Sequence, residues 1–174
     1  MAVTLHDATA ARFLQTLEGV STVLERGLAH CADTGVDPAE LVQTRLWSDM
    51  LPLGYQVVAL VHHSLGALQA VKAGAFSPPA RAGEESYGAL QALVERAREG
   101  LQALTPDEVD SLETRELVFK VGDRETPFVG KDFLLSFSLP NFYFHVTTAY
   151  DILRSKGAPL GKRDYLGPIA ALRR

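Results

Sequence analysis

Between Thr9 and Cys31 the apolar residues fall at Phe13, Leu17, Val20, Leu24, Leu28 and Cys31, in steps of three and four that stack on one face of an α-helix. Gly35 and Pro38 in "CADTGVDPAEL" end that helix, and "DPAEL" predicts one short turn before the next long element. A second stripe runs through Met50, Leu53, Val57, Leu60 or Val61, Leu65, Leu68 and Val71. It predicts one continuous helix from the N-cap candidate Ser48 to about Ala73. Asp49 complements the dipole in its first turn, Pro52 is tolerated near its start, and Gly74 stops it. The prolines and glycine of "FSPPARAGEES" (76–86) predict a loop. Tyr87, Leu90, Leu93 or Val94, Ala97 and Leu101 then mark a third helix, closed by "LTPDEVD".

The period changes in "RELVFKVGDRETPFV" (115–129), where Leu117, Phe119 and Val121 alternate with Glu116, Val118 and Lys120 and "GD" supplies a turn. A small hairpin is predicted there, with an irregular loop as the alternative. A fourth helix follows from about Lys131 to Lys156, with Gly157 as its stop. Pro140 lies inside it, removes one backbone donor and presses its ring towards the Ser136 carbonyl, so a kink is expected just before "PNFYFHVTTAYDILR" (140–154). The last stretch, "GAPLGKRDYLGPIAALRR", predicts an extended tail packed over the helices, helical at most in "PIAALRR". Four helices of about 20 residues make an all-α fold. The expected architecture is a single domain over residues 1–174, a four-helix bundle with the hairpin or loop inserted between its third and fourth helices.

Composition narrows the functional classes. A chain of 174 residues can bury roughly two thirds of its unfolded surface, and 47% hydrophobic with 22% charged residues is inside the globular range. A net charge of -4 lacks the basic footprint that nucleic acid requires. No stretch approaches the roughly 20 apolar residues that cross a bilayer, so no membrane partner is expected. "MAVTLHDATAARF" has no basic n-region followed by an apolar run, and Cys31 is the single cysteine, expected to be a small buried hydrophobe. Both features point to a cytoplasmic location.

Candidate chemistry rests on the histidines His6, His30, His62, His63 and His145. At about 100° per residue, His62 falls roughly 110° and His63 roughly 150° from the centre of the second stripe, so His62 is expected at the boundary and His63 in solvent. On the fourth helix Phe142, Val146, Ala149 and Leu153 form the deepest line, and His145 lies roughly 70° from its centre in a row with Ser138, Asn141 and Thr148. That row is either a hydrogen-bond ladder bracing the helix, or the lining of a pocket with His145 as ligand or base and Asn141 as orienting group. No Gly-x-Ser-x-Gly elbow or His-Glu-x-x-His helix is present. "KGAPLGKRDY" fails as a phosphate loop, because the glycine spacing is one short and Arg163 replaces the Ser or Thr that would hold magnesium.

"DMLPLGYQ" (49–56) together with "PNFYFHVTTAYDILRSKGAPLGKRDYLG" (140–167) resembles an uncharacterised bacterial family, a domain of unknown function grouped with the DinB/YfiT-like helical bundles. The resemblance implies the DinB arrangement of four helices, frequently dimeric, in a superfamily with candidate metalloenzymes and thiol-dependent transferases. Metal-binding members take one histidine from the second helix and a His-x-x-x-His pair from the fourth. Here "HVTTA" gives His145 at the first position of the pair and Ala149 at the second, and His62 stands for the helix-two ligand. Asp49, Gln56, Asn141, His145 and Tyr150 are the motif residues that would line a degenerate pocket. The leading expectation is a ligand-binding or non-catalytic protein without a metal, its ligand a small molecule. One alternative is a hydrolase or thiol transferase with zinc or nickel on His62 and His145. Another is an interaction module that forms a homodimer.

Overall fold

The structure is a computed structural model that describes residues 2–79 and 85–169. It is mostly helical, with one small three-stranded sheet. A short α1 (Leu5–Ala8), capped by Thr4 and Asp7 in a capping box, leads into the long α2 (Ala10–Thr34), which Gly35 ends in the left-handed conformation at φ 74°. Phe13, Leu17, Val20, Leu24 and Cys31 of the first stripe are buried. Leu28 instead stands at 36% exposure, and the neighbouring Gly27 is buried against Tyr87. Tyr87 approaches so closely because it donates its hydroxyl to the Leu24 carbonyl at 2.8 Å. The short α3 (Pro38–Val42) follows, capped by Asp37.

The second stripe is broken in two. Residues 47–52 form turns, Ser48 caps nothing, and α4 runs from Leu53 to His62 with Pro52 at its N-cap. A separate α5 (Leu65–Ala73) ends at Gly74, φ 84°. Between them the Ser64 hydroxyl donates to the carbonyls of Leu60 at 2.9 Å and Val61 at 3.1 Å. A serine side chain thereby replaces backbone donors at the end of α4 and allows the chain to bend. This break resets the helical phase, which is why His63 is buried at 6% exposure and not in solvent as a continuous helix would place it.

Strand β1 (Ala75–Phe76) pairs in parallel with β2 (Glu116–Val121), which pairs antiparallel with β3 (Arg124–Val129) through a turn at Gly122, φ 56°. The hairpin is the predicted one. β1 takes Ala75 and the first residue, Phe76, of the predicted 76–86 loop, and residues 80–84 of that loop lie outside those described. Helix α6 (Tyr87–Gln102) is capped by Ser86, and α7 (Pro106–Asp110) carries a Thr105–Glu108 capping box.

The fourth helix starts as one turn, α8 (Gly130–Asp132), widens into a π-helical segment over Phe133–Ser138, and continues as α9 (Leu139–Ser155). The Leu139 amide reaches back five residues to the Leu134 carbonyl. Where a kink was expected, the missing Pro140 donor is accommodated by this wider turn. Phe142, Val146, Ala149 and Leu153 are buried as the spacing predicts.

The tail is not extended throughout. It folds into α10 (Lys162–Leu166), with Asp164 accepting from the Gly161 amide at 2.8 Å and pairing with Arg26 of α2 at 3.1 Å. Of the expected helix "PIAALRR", residues 170–174 lie outside those described. Helix α2 packs on α6, α9 and α10, and α4 packs on α6 and α9; the buried hydrophobics of α2, α4, α6 and α9 join in one cluster, against which the partly buried Tyr165 of α10 packs. Among the described residues no helix is long and apolar enough to cross a membrane.

Candidate functional site

The side chains that could carry chemistry meet where α4 lies along α9. Gln56, one turn into α4, is buried. Its amide Nε2 donates to the Leu51 carbonyl at 2.8 Å, which aims Oε1 across to α9, where the His145 Nδ1–H donates to it at 2.8 Å. Since Oε1 can only accept, His145 carries its proton on Nδ1 and leaves Nε2 as the open nitrogen. The ring is half-buried, with Tyr55 edge-on at 6.1 Å and Phe144 at 5.3 Å between centroids.

His63, on the turn between α4 and α5, stacks on His145 with centroids 5.8 Å apart and planes 18° from parallel. The Ser138 hydroxyl at the end of the π-helical segment donates to the His63 carbonyl at 2.9 Å, and its lone pair faces His63 Nδ1 at 3.4 Å. That distance is long for a hydrogen bond, and it fixes the same Nδ1–H tautomer. Phe76 and Phe137 close the other sides of His63 at 5.3 and 5.7 Å. His62 packs on Phe76 at 4.4 Å and donates Nε2–H to the Ser77 carbonyl at 2.7 Å.

Burial in this aromatic setting disfavours the charged form of every ring. Desolvation, then His145, then His62, push His63 down to about 3, and desolvation pushes His145 down to about 4. His62 is lowered by burial, against the raising effect of its bond to Ser77. Both stacked imidazoles are neutral at neutral pH, and groups that far below the working pH are weak proton acceptors.

Of the residues singled out in the sequence, the structure brings Gln56 and His145 together. Asn141 turns its Nδ2 back to the Phe137 carbonyl at 2.7 Å, and Thr148 turns its hydroxyl back to the Phe144 carbonyl at 2.8 Å. The row is therefore not a continuous ladder, and only Ser138 and His145 reach across to another element. Tyr150 packs edge-on against Tyr165 of α10 at 5.9 Å, and Asp49 is exposed in the turn before α4. His63 was missed. The only signal in the sequence was the serine directly after the histidine pair, a residue that competes for helix carbonyls.

A divalent cation does not fit this donor set. Among the described residues no three His, Cys, Asp or Glu side chains come together to hold a metal. His62 has its Nε2–H committed to Ser77, and the place of a second fourth-helix histidine is the buried methyl of Ala149. Structural and catalytic zinc sites take three or four protein ligands.

The family model for a domain of unknown function, DUF1993, matches residues 5–166. The chain belongs to the DUF1993 family. Among solved structures this DUF1993 chain is similar to the crystal structure of a DinB family member protein from Shewanella denitrificans, with a TM-score of 0.81 over 98% of this chain and 96% of that one, at 23% sequence identity. At that identity the likeness establishes a DinB-like fold. No curated protein matches the chain in sequence.

Proposed function

We propose that this DUF1993 protein is a one-domain, four-helix DinB-like bundle that binds a small molecule without using a metal. In it the histidines between α4 and α9 serve as a structural brace. The observation that carries the metal-free brace is the His145–Gln56–Leu51 chain, two bonds of 2.8 Å that lock the fourth-helix histidine of the metal-binding pattern to a neutral amide. Such a bond holds the ring in one orientation without supplying a carboxylate that would raise its basicity. The Ser138 bond to the His63 carbonyl adds a second tie between the same two elements.

The test is elemental analysis of protein purified without a histidine tag, alongside the melting temperature of His145→Ala. The brace predicts no stoichiometric zinc or nickel and a clear fall in melting temperature. Stoichiometric metal that disappears in His145→Ala would replace it with the metal-dependent hydrolase or transferase alternative.

Homodimerisation is the second part of the reading. Phe144 of α9 is 56% exposed directly beside His145, with the half-buried Tyr55 on the ring's other contact. An exposed phenylalanine beside a half-buried tyrosine suits the centre of a self-complementary interface. Sedimentation at micromolar concentration should give a dimer that Phe144→Glu dissociates, and a monomeric wild type removes this part of the proposal.

A further inference from the structure

A cavity of about 270 Å³ opens between α5, α6 and α7, away from the histidine cluster. Leu65, Leu68, Leu104, Val109 and Leu112 give it an apolar floor, and Gly100 of α6 forms part of its wall. The bare Gly100 leaves room for the tip of the Leu65 side chain, which a Cβ there would push aside towards the cavity. The exposed side chains among its lining are Gln69, Lys72, Glu108, Ser111 and Arg115. Glu108 is occupied as the cap of α7: its carboxylate accepts from the Thr105 amide at 2.9 Å and hydroxyl at 3.0 Å. Among the described residues the ion pairs do not include Lys72 or Arg115.

We propose that this cavity is a binding site for a small amphipathic monocarboxylate. Its short aliphatic chain or single ring would lie on the leucines, and its carboxylate would face Lys72 and Arg115. The volume sits just below the roughly 300–1,000 Å³ typical of ligand pockets, too small for a peptide or a long lipid. The rim holds two cations against one anion, Glu108, which also faces Lys72, so the net positive charge left on the Arg115 side selects an acid over an amine. Arginine adds a planar donor pair matched to a carboxylate. This site deepens the ligand-binding half of the proposed function and rests on that half alone.

The experiment is a titration of ¹⁵N-labelled full chain with octanoate, 1-octanol and octylammonium, read from amide shifts. Octanoate should give saturable shifts at Leu65, Leu104 and Leu112, with 1-octanol and octylammonium about tenfold weaker, as expected for charges interacting at a protein surface. The exposed double variant Lys72→Gln with Arg115→Gln should weaken octanoate to the level of 1-octanol and leave the melting temperature unchanged. Leu104→Trp, at a half-buried position, should fill the cavity and remove the shifts. Octylammonium binding as tightly as octanoate, shifts confined to other residues, or no saturable shift overturns the proposal. Saturable octanoate shifts clustered around Gln56 and His145 would overturn this site while leaving the ligand-binding half standing, and metal content with the His145 variants reports on the brace alone.

Discussion

The imidazole of His63 lies almost parallel to that of His145, 5.8 Å away between centroids, although the two come from elements separated by nearly half the chain. Each donates its Nδ1 proton to a neutral oxygen, His145 to Gln56 and His63 towards Ser138, so neither buried ring has a carboxylate to offset the cost of charging it.

Acid sensitivity follows from that pair. Both folded pKa values, about 3 for His63 and about 4 for His145, lie below the ordinary value of 6.5. The unfolded chain therefore binds more protons as pH falls. Stability is fully present above about pH 6.5 and is lost as pH falls towards 4 and then 3, by about 1.4 kcal/mol per pH unit for each ring. Urea denaturation between pH 7 and 4.5 should show this slope, and His145→Gln should reduce it by close to one proton. An unchanged slope in that variant would mean the ring titrates normally.

Gln56 should behave differently towards two substitutions. Gln56→Leu leaves the His145 Nδ1–H and the Leu51 carbonyl without their partner and should destabilise by about 1–3 kcal/mol. Gln56→Glu places an anion on the same ring and should raise the His145 pKa towards or above its ordinary value. Imidazole ¹⁵N shifts of His145 in the two proteins check both outcomes, together with denaturation midpoints.

Ser138 is fully buried and bonds to the His63 carbonyl. Ser138→Ala should therefore cost about 1–3 kcal/mol through the unsatisfied carbonyl, a larger effect than Ser136→Ala, whose exposed hydroxyl only caps the Asp132 carbonyl of its own helix. Equal losses in the two variants would argue against Ser138 as a tie between elements.

Gly19 is the contact point for the C-terminal segment. A Cβ there would stand 2.6 Å from the Tyr165 carbonyl oxygen and 2.8 Å from that of Asp164. Since these are backbone atoms, Gly19→Ala should lift α10 from α2 while α2 itself stays intact. Hydrogen exchange of the amides of residues 161–167 should rise sharply with helix content unchanged; if those amides stay protected, the close approach does not hold the segment.

What the sequence made legible was whatever depends on period. The stripes of α2, α6 and α9, the stops at Gly35 and Gly74, and the hairpin around Gly122 all follow from local spacing and backbone freedom. What escaped depends on a single side chain overruling the period. Ser64 splits one predicted helix into two and swings His63 inward, and Asp164 with Arg26 winds part of a glycine-rich tail into a turn of helix. The candidate site shows the same division: His145 was legible from its angle to the apolar line, but its partner depended on a break no stripe encodes. β1 was hidden for a related reason, since two residues carry no alternation to detect.

The widened turn over Phe133–Ser138 means that the fourth helix holds a surplus residue relative to an ordinary rod of the same rise. Relatives built with an unbroken α-helix here would align with this chain only across a one-position gap. Removing that surplus residue from 134–137 should yield an ordinary α-helical rod in which Phe133 keeps its phase relative to His145, because the wide turn absorbs one residue at about the same total rotation. The change would fall on the side chains inside the turn, Phe137 beside His63 among them, while both flanks keep their faces.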